Sequence, residues 1–272
     1  MWGAVGDDPF RYFWMQQDDI PQEVGYPLFG KEHLLSVLVT LCLAGLAVAG
    51  FRKMRRERQE KVLKAIPPVM LALELCKDFF LASVGRFGVG YLPLHFCSLG
   101  LFVFFLREYL PWEKSKDFFG EIAFVLILPG SLFALFDADW TELYPVLNFI
   151  NLHSYLWHGV LVLYPMLLVT TGRIHPSIRH IHWNLLYLAV VVPPIYAFDR
   201  HFHCNYFFIH WPIPNSPLSR MAELLGNPGY LVGYALLVLL VILVVYGCTG
   251  AVREVAKRRI CAEEITDQRN RE

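Results

Sequence analysis

Leu34-Leu-Ser-Val-Leu-Val-Thr-Leu-Cys-Leu-Ala-Gly-Leu-Ala-Val-Ala-Gly-Phe51, followed directly by Arg52-Lys-Met-Arg-Arg-Glu-Arg-Gln-Glu-Lys-Val-Leu-Lys64, is the stretch whose reading decides the fold. An uncharged apolar run of this length stands near the short end of the ~17 to 25 residues that a helix needs to cross hydrocarbon. The cations that close it, Arg52, Lys53, Arg55, Arg56, Arg58, Lys61 and Lys64, form the strongest topological signal in the chain, because short positively charged loops stay cytoplasmic. The N-terminus is therefore expected outside.

Composition agrees with a membrane solvent. Of 272 residues, 56% are hydrophobic, 15% aromatic and only 18% charged, with a mean hydropathy of +0.41, values that fit a polytopic membrane protein. Lysine plus arginine balance aspartate plus glutamate at 24 each, with no detached basic tail, so nucleic acid is not an expected partner. Six cysteines (Cys42, Cys76, Cys97, Cys204, Cys248, Cys261) fall mostly inside apolar runs and lack the spacing of a disulfide framework or a CxxC metal site, so no structural disulfide is expected. The acidic N-terminus has no basic n-region, and no cleavable signal peptide is expected.

Outward from the first span, apolar runs at about 65–84, 89–107, 118–136, 148–171, 182–199 and 228–250 complete an all-α polytopic bundle of about seven helices. Residues 1–33, rich in acids and in Trp2, Phe10, Tyr12, Phe13 and Trp14, read as an interfacial segment; residues 34–250 form the transmembrane domain and 251–272 a cytoplasmic tail. The connecting charges fit this count. Arg107 to Lys116, Arg173 to Arg179 and the tail Arg253, Lys257, Arg258, Arg259 are basic, whereas no lysine or arginine occurs from Asp137 to Gly172. The expected location is a cell membrane, crossed several times.

Topology then assigns depth. Counted from the outer face at 1.5 Å per residue, Glu74 lies ~15 Å down the second span, Cys97 ~12 Å down the third and His158 ~15 Å down the fifth. Three potentially reactive groups on three helices thus share one level. Each has a plain structural alternative: a buried thiol packs as a small apolar group, His95, His153 or His158 can simply hydrogen-bond across helices, and Glu74 has Lys77 and Asp78 within one turn as ion-pair partners. Cys97 and His95 are two residues apart and face different ways on a helix, so a Cys/His pair would use His158. The aromatic connection Asp199 to Pro214 is expected to fold back over the outer mouth; its His201, His203, Cys204 and His210 match no familiar zinc spacing, and no metal is expected.

The motifs Leu92-Pro-Leu-His-Phe-Cys-Ser-Leu99, His158-Gly159 with Tyr164-Pro165, Asn205-Tyr206 followed by Pro212 to Pro217, and Leu224-Leu-Gly-Asn-Pro-Gly-Tyr230 resemble the YwaF-like integral membrane proteins of bacteria, relatives of a eukaryotic membrane enzyme that forms ether phospholipids by acyl transfer. The resemblance covers about residues 65 to 245. By motif, the catalytic cysteine and histidine of the acyltransferase branch fall on Cys97 and His158. His95 before the cysteine follows the bacterial form.

What these residues could do together is covalent acyl transfer, or acyl hydrolysis where water is the acceptor: His158 as general base, Cys97 as nucleophile holding an acyl chain as a thioester, and His95, Asn205 or Tyr206 orienting the base or donating to an oxyanion. Glu74 and His153 would support the site. The substrates would be phospholipid and lysophospholipid, with no cofactor. The rival reading is a transporter or sensor built on the intramembrane charges Glu74, Lys77 and Asp78. A b-type haem protein would instead need facing histidines such as His95 and His158. A retinal receptor is disfavoured because the last span has no lysine.

Overall fold

A computed structural model describes the backbone of residues 8–214 and 216–269, and the side chains of these except Gln22 and residues 259–269. Trp2, Arg259 and Cys261 lie outside the described side chains. Helices α1 (Lys31–Arg52), α2 (Arg56–Ser83), α3 (Phe96–Tyr109), α4 (Glu113–Ile122), α5 (Leu128–Phe136), α6 (Phe149–Thr170), α7 (Ile181–Phe202), α8 (Pro217–Leu225) and α9 (Tyr230–Arg269) carry the fold, with no strand among the described residues.

Five stretches among the described residues are long and apolar enough to cross a membrane: Lys31–Arg52, Glu113–Glu142, Phe149–Thr170, Ile178–Phe202 and Tyr230–Arg258. The protein is an all-helical, multi-pass membrane protein. The outward faces of α1 (Leu35, Leu38, Leu43, Leu46) and α9 (Val232, Leu236, Leu240) are exposed and apolar, as a surface solvated by acyl chains should be.

The two other passes expected from hydropathy are built differently. α2 starts at Arg56 and carries the charges of Glu74, Lys77 and Asp78 in its second half. α3 begins only at Phe96 and has 14 residues, a length of ~21 Å that falls short of the hydrocarbon core. Gly85, Gly88, Gly90 and Pro93 are the reason: they break the helical pattern over the segment between α2 and α3. The fourth pass is continuous but widened by a π-helical turn, Ala123–Ile127. Pro129 follows at the start of α5; a π turn accommodates the backbone donor that proline lacks.

The two ends of the bundle differ in chemistry. At one, the N-terminal segment is tied to the loops: Asn148 Nδ2 donates to the carbonyls of Tyr12 (2.7 Å) and Met15 (2.9 Å), Arg86 pairs with Asp18 at 2.9 Å, and Trp14 lies 5.0 Å from Phe149. At the other, basic residues brace the turns: Arg56 Nη1 donates to the Thr171 carbonyl at 3.2 Å, and Arg173 Nη1 stands 3.7 Å from Glu60. Between them lies a core in which Phe104 of α3 stacks on Tyr164 of α6 at 3.9 Å.

Candidate functional site at the start of helix α3

Pro93 keeps Leu92 extended, and His95, at φ −63° and ψ 151°, is the residue before the helix. Its side chain makes no capping bond. The first helical bond is donated by Leu99 N to the His95 carbonyl at 3.0 Å, so the N–H groups of Phe96, Cys97 and Ser98 have no helical acceptor. Cys97 is a half-buried free thiol in this first turn. It sits where unpaired amides and the helix dipole favour negative charge.

His158 is placed by packing between α3 and α6, which run in the same direction. A Cβ on Gly100 would stand 2.4 Å from Leu161 Cδ2 and 3.2 Å from Ile127 Cγ2, so the two helices approach at the Gly100–Leu161 level. Three residues back on each helix, ~4.5 Å nearer the aromatic end, are Cys97 and His158. On its other flank, Gly159 meets Thr40 of α1.

The imidazole is held in one tautomer. Its Nδ1 lies 2.8 Å from the Ser154 carbonyl, which can only accept, so Nδ1 carries the proton and Nε2 keeps the lone pair. The ring also stacks on Trp140, 5.4 Å away and 8° from parallel. Among the described residues no hydrogen bond joins Cys97 and His158.

Near Cys97 stand the polar groups of α2. Glu74, 3% exposed, accepts from Lys77 Nζ at 2.6 Å, and Asp78 Oδ1 is 3.5 Å from the same ammonium. Glu74 is within electrostatic range of Cys97, Lys77 of both His95 and His153, and His153 of His158. The charged triad thus stands near Cys97, His95 and His153, and His158 is reached from it only through His153. Trp140 Nε1 and His153 Nε2 are buried without a hydrogen bond of good geometry, although the Leu73 carbonyl lies beside His153.

Asn205 and Tyr206 cover the cluster instead of pointing polar atoms into it. Asn205 Oδ1 accepts from the backbone of His210 and Trp211, both at 3.1 Å, and its Nδ2 donates to the Trp211 carbonyl. Tyr206 packs edge-on against His95 at 4.6 Å, while its hydroxyl donates to the carbonyls of Val89 and Leu92. Burial pushes the Tyr206 phenol up to about 12, so it remains a donor at any physiological pH. In the same loop His210 Nδ1 is 2.9 Å from the Cys204 carbonyl; no three His, Cys, Asp or Glu side chains among the described residues are grouped to hold a metal ion.

A family model described as the TMEM164 family matches residues 28–246. The chain belongs to the TMEM164 family. The TMEM164 match begins before α1 and ends within α9, so it takes in the basic loop as well as Glu74, Cys97, His158 and the Asn205–Tyr206 cover. No curated protein and no solved structure matches this chain. Ser154 and Trp140, which set the tautomer and the ring plane of His158, carry no sequence signal, since both act through tertiary contact.

Proposed function

We propose that this chain is an integral membrane lipid acyltransferase that moves a long acyl chain from a phospholipid to a lysophospholipid through Cys97 and His158. The reading rests on one arrangement: a thiol in an uncapped helical first turn and an imidazole with its Nε2 lone pair fixed, at one level on two helices locked by Gly100 and Leu161. The resemblance of Leu92–Leu99 and of His158–Gly159 to the acyltransferase branch supports the same two residues.

In this mechanism the Cys97 proton passes to His158 Nε2, directly or through one water, as catalytic bonds that tighten only with substrate in place commonly do. The thiolate attacks the ester carbonyl of the donor. Charge on the carbonyl oxygen is stabilised by the unpaired N–H groups of the α3 first turn. The ester C–O bond breaks, the departing lysolipid oxygen takes the proton from His158, and the acyl chain remains on Cys97 as a thioester. The acceptor hydroxyl then gives its proton to His158, attacks the thioester and releases the thiolate. Glu74, His95 and His153 shape the polar floor, and Asn205 and Tyr206 hold its cover.

The test is acyl exchange in liposomes containing a phospholipid with a labelled acyl chain and an unlabelled lysophospholipid. Wild type should transfer label, Cys97→Ala and His158→Ala should each abolish transfer, and the double variant should be no worse, because residues acting as one unit are non-additive. Normal transfer by Cys97→Ala would end this reading. Solute flux without lipid turnover would instead move the function to Glu74, Lys77 and Asp78.

A further inference from the structure

Beyond the Tyr206 cover lies a cavity of about 410 Å³, lined by Tyr196, Arg200, His210, Trp211, Asn227 and Pro228. It opens where the last turns of α7 meet the loop that follows and the turn leading into α9. Its walls are braced from within. Asn227 Nδ2 donates to the His210 carbonyl at 3.1 Å, His210 is held on Cys204, Asn205 takes the amides of His210 and Trp211, and Tyr230 donates to the Phe208 carbonyl at 2.9 Å.

Charge in this cavity is one-sided. Arg200 makes no hydrogen bond or ion pair among the described residues, and no carboxylate lines the cavity. The neighbouring acid, Asp199, does not line the cavity: it is fully buried behind the His210 wall, where its Oδ1 accepts from Tyr206 N at 3.0 Å. An unpaired guanidinium is a planar fork of donors matched to two oxygens of a phosphate. Tyr196 and Trp211 bring amphipathic rings of the kind that sit at headgroup level. Nearby α8 leaves Leu224 84% and Leu225 56% exposed, an apolar edge of the kind that acyl chains can cover.

We propose that the cavity at the end of α7 is a phosphate-binding site that holds the headgroup phosphate of a membrane lipid on Arg200, apart from the Cys97–His158 site. It is separated from that site by Tyr206 and Phe207, which pack on His95 and Phe96 respectively. The site does not depend on acyl transfer.

Full-length Cys97→Ala protein, so that no lipid is consumed, is titrated in detergent with dihexanoylphosphatidylglycerol, with inorganic phosphate and with dihexanoylglycerol, alone and with Arg200→Gln or Arg200→Lys added. Saturable binding of the phospholipid is expected, weakened tenfold or more by Arg200→Gln and by less with Arg200→Lys, which keeps the charge and loses the fork. Inorganic phosphate that displaces the phospholipid at similar concentration assigns the site to the free anion; phosphate that binds far more weakly assigns it to the headgroup. Equal binding of dihexanoylglycerol and the phospholipid, or unchanged binding by Arg200→Gln protein of normal thermal stability, would overturn the proposal.

Discussion

Leu161 of α6 rests on Gly100 of α3 so closely that a Cβ at position 100 would stand 2.4 Å from its Cδ2. This contact sets the register that levels Cys97 with His158, so it can be altered without touching either residue. Gly100→Ala should force the helices apart and cost about 1–3 kcal/mol, the usual range for an overpacked core. Thermal unfolding in detergent should show the loss, and acyl exchange per folded molecule should fall with it. A variant of unchanged stability and full exchange would mean that the register is not set here.

Lys77 balances two carboxylates, Glu74 and Asp78, in a part of α2 where Glu74 is almost wholly buried. Lys77→Met leaves those charges without a counter-ion and should destabilise by roughly 3–5 kcal/mol, as breaking a buried pair does. Glu74→Gln removes one acid from a cluster with an acid in excess and should cost less. The ordering is read from expression and unfolding temperature. Equal effects would argue that water reaches the triad and screens it.

Tyr206→Phe removes a hydroxyl donor shared by the Val89 and Leu92 carbonyls, which keep the backbone donors Leu92 N and Leu94 N, so the cost should be about 0.5–1.5 kcal/mol, that of one net hydrogen bond. Faster amide exchange over residues 84–95 should accompany it. The pH dependence has a definite sign. The phenol is at 10.0 when unperturbed and about 12 in the fold, so the unfolded chain loses its proton first and stability falls as pH rises from 10 to 12. That component should be missing from the variant, and identical alkaline profiles would refute the assignment.

Orientation is tested by labelling. A membrane-impermeant maleimide applied to intact cells should reach Cys204, half-buried in the loop after α7, and should not reach a cysteine introduced at Lys61, whose side chain is exposed at the basic end. The opposite pattern would invert the bundle and carry the candidate site to the cytoplasmic half.

The helices that were easiest to read are those in which length and hydropathy coincide, such as α1, α6 and α9. The start of α3 was obscured because Val89 to Leu106 is an almost unbroken apolar run, whose hydropathy hides the helix-breaking Gly88, Gly90 and Pro93. The backbone there is satisfied by local turns, with Leu92 N on Val89 and Leu94 N on Leu92, and Tyr206, distant in sequence, adds a donor to the same two carbonyls. The same limit applies to the site. Glu74 and His158 lie within long helices where rise can be counted, whereas the count to Cys97 assumes helix from Val89 and α3 starts only at Phe96. The Ser154 bond, the Trp140 stack and the uncapped α3 terminus exist only once the chain has packed.

In the proposed reaction Cys97 carries the acyl chain while His158 moves the proton. Purified protein incubated with phospholipid alone, quenched in acid and digested, should yield a peptide containing Cys97 that is heavier by one acyl group and loses it in neutral hydroxylamine. The adduct should be absent from His158→Ala protein. Acyl exchange that proceeds with no thioester on Cys97, or a Cys97 adduct formed equally well without His158, would contradict the account.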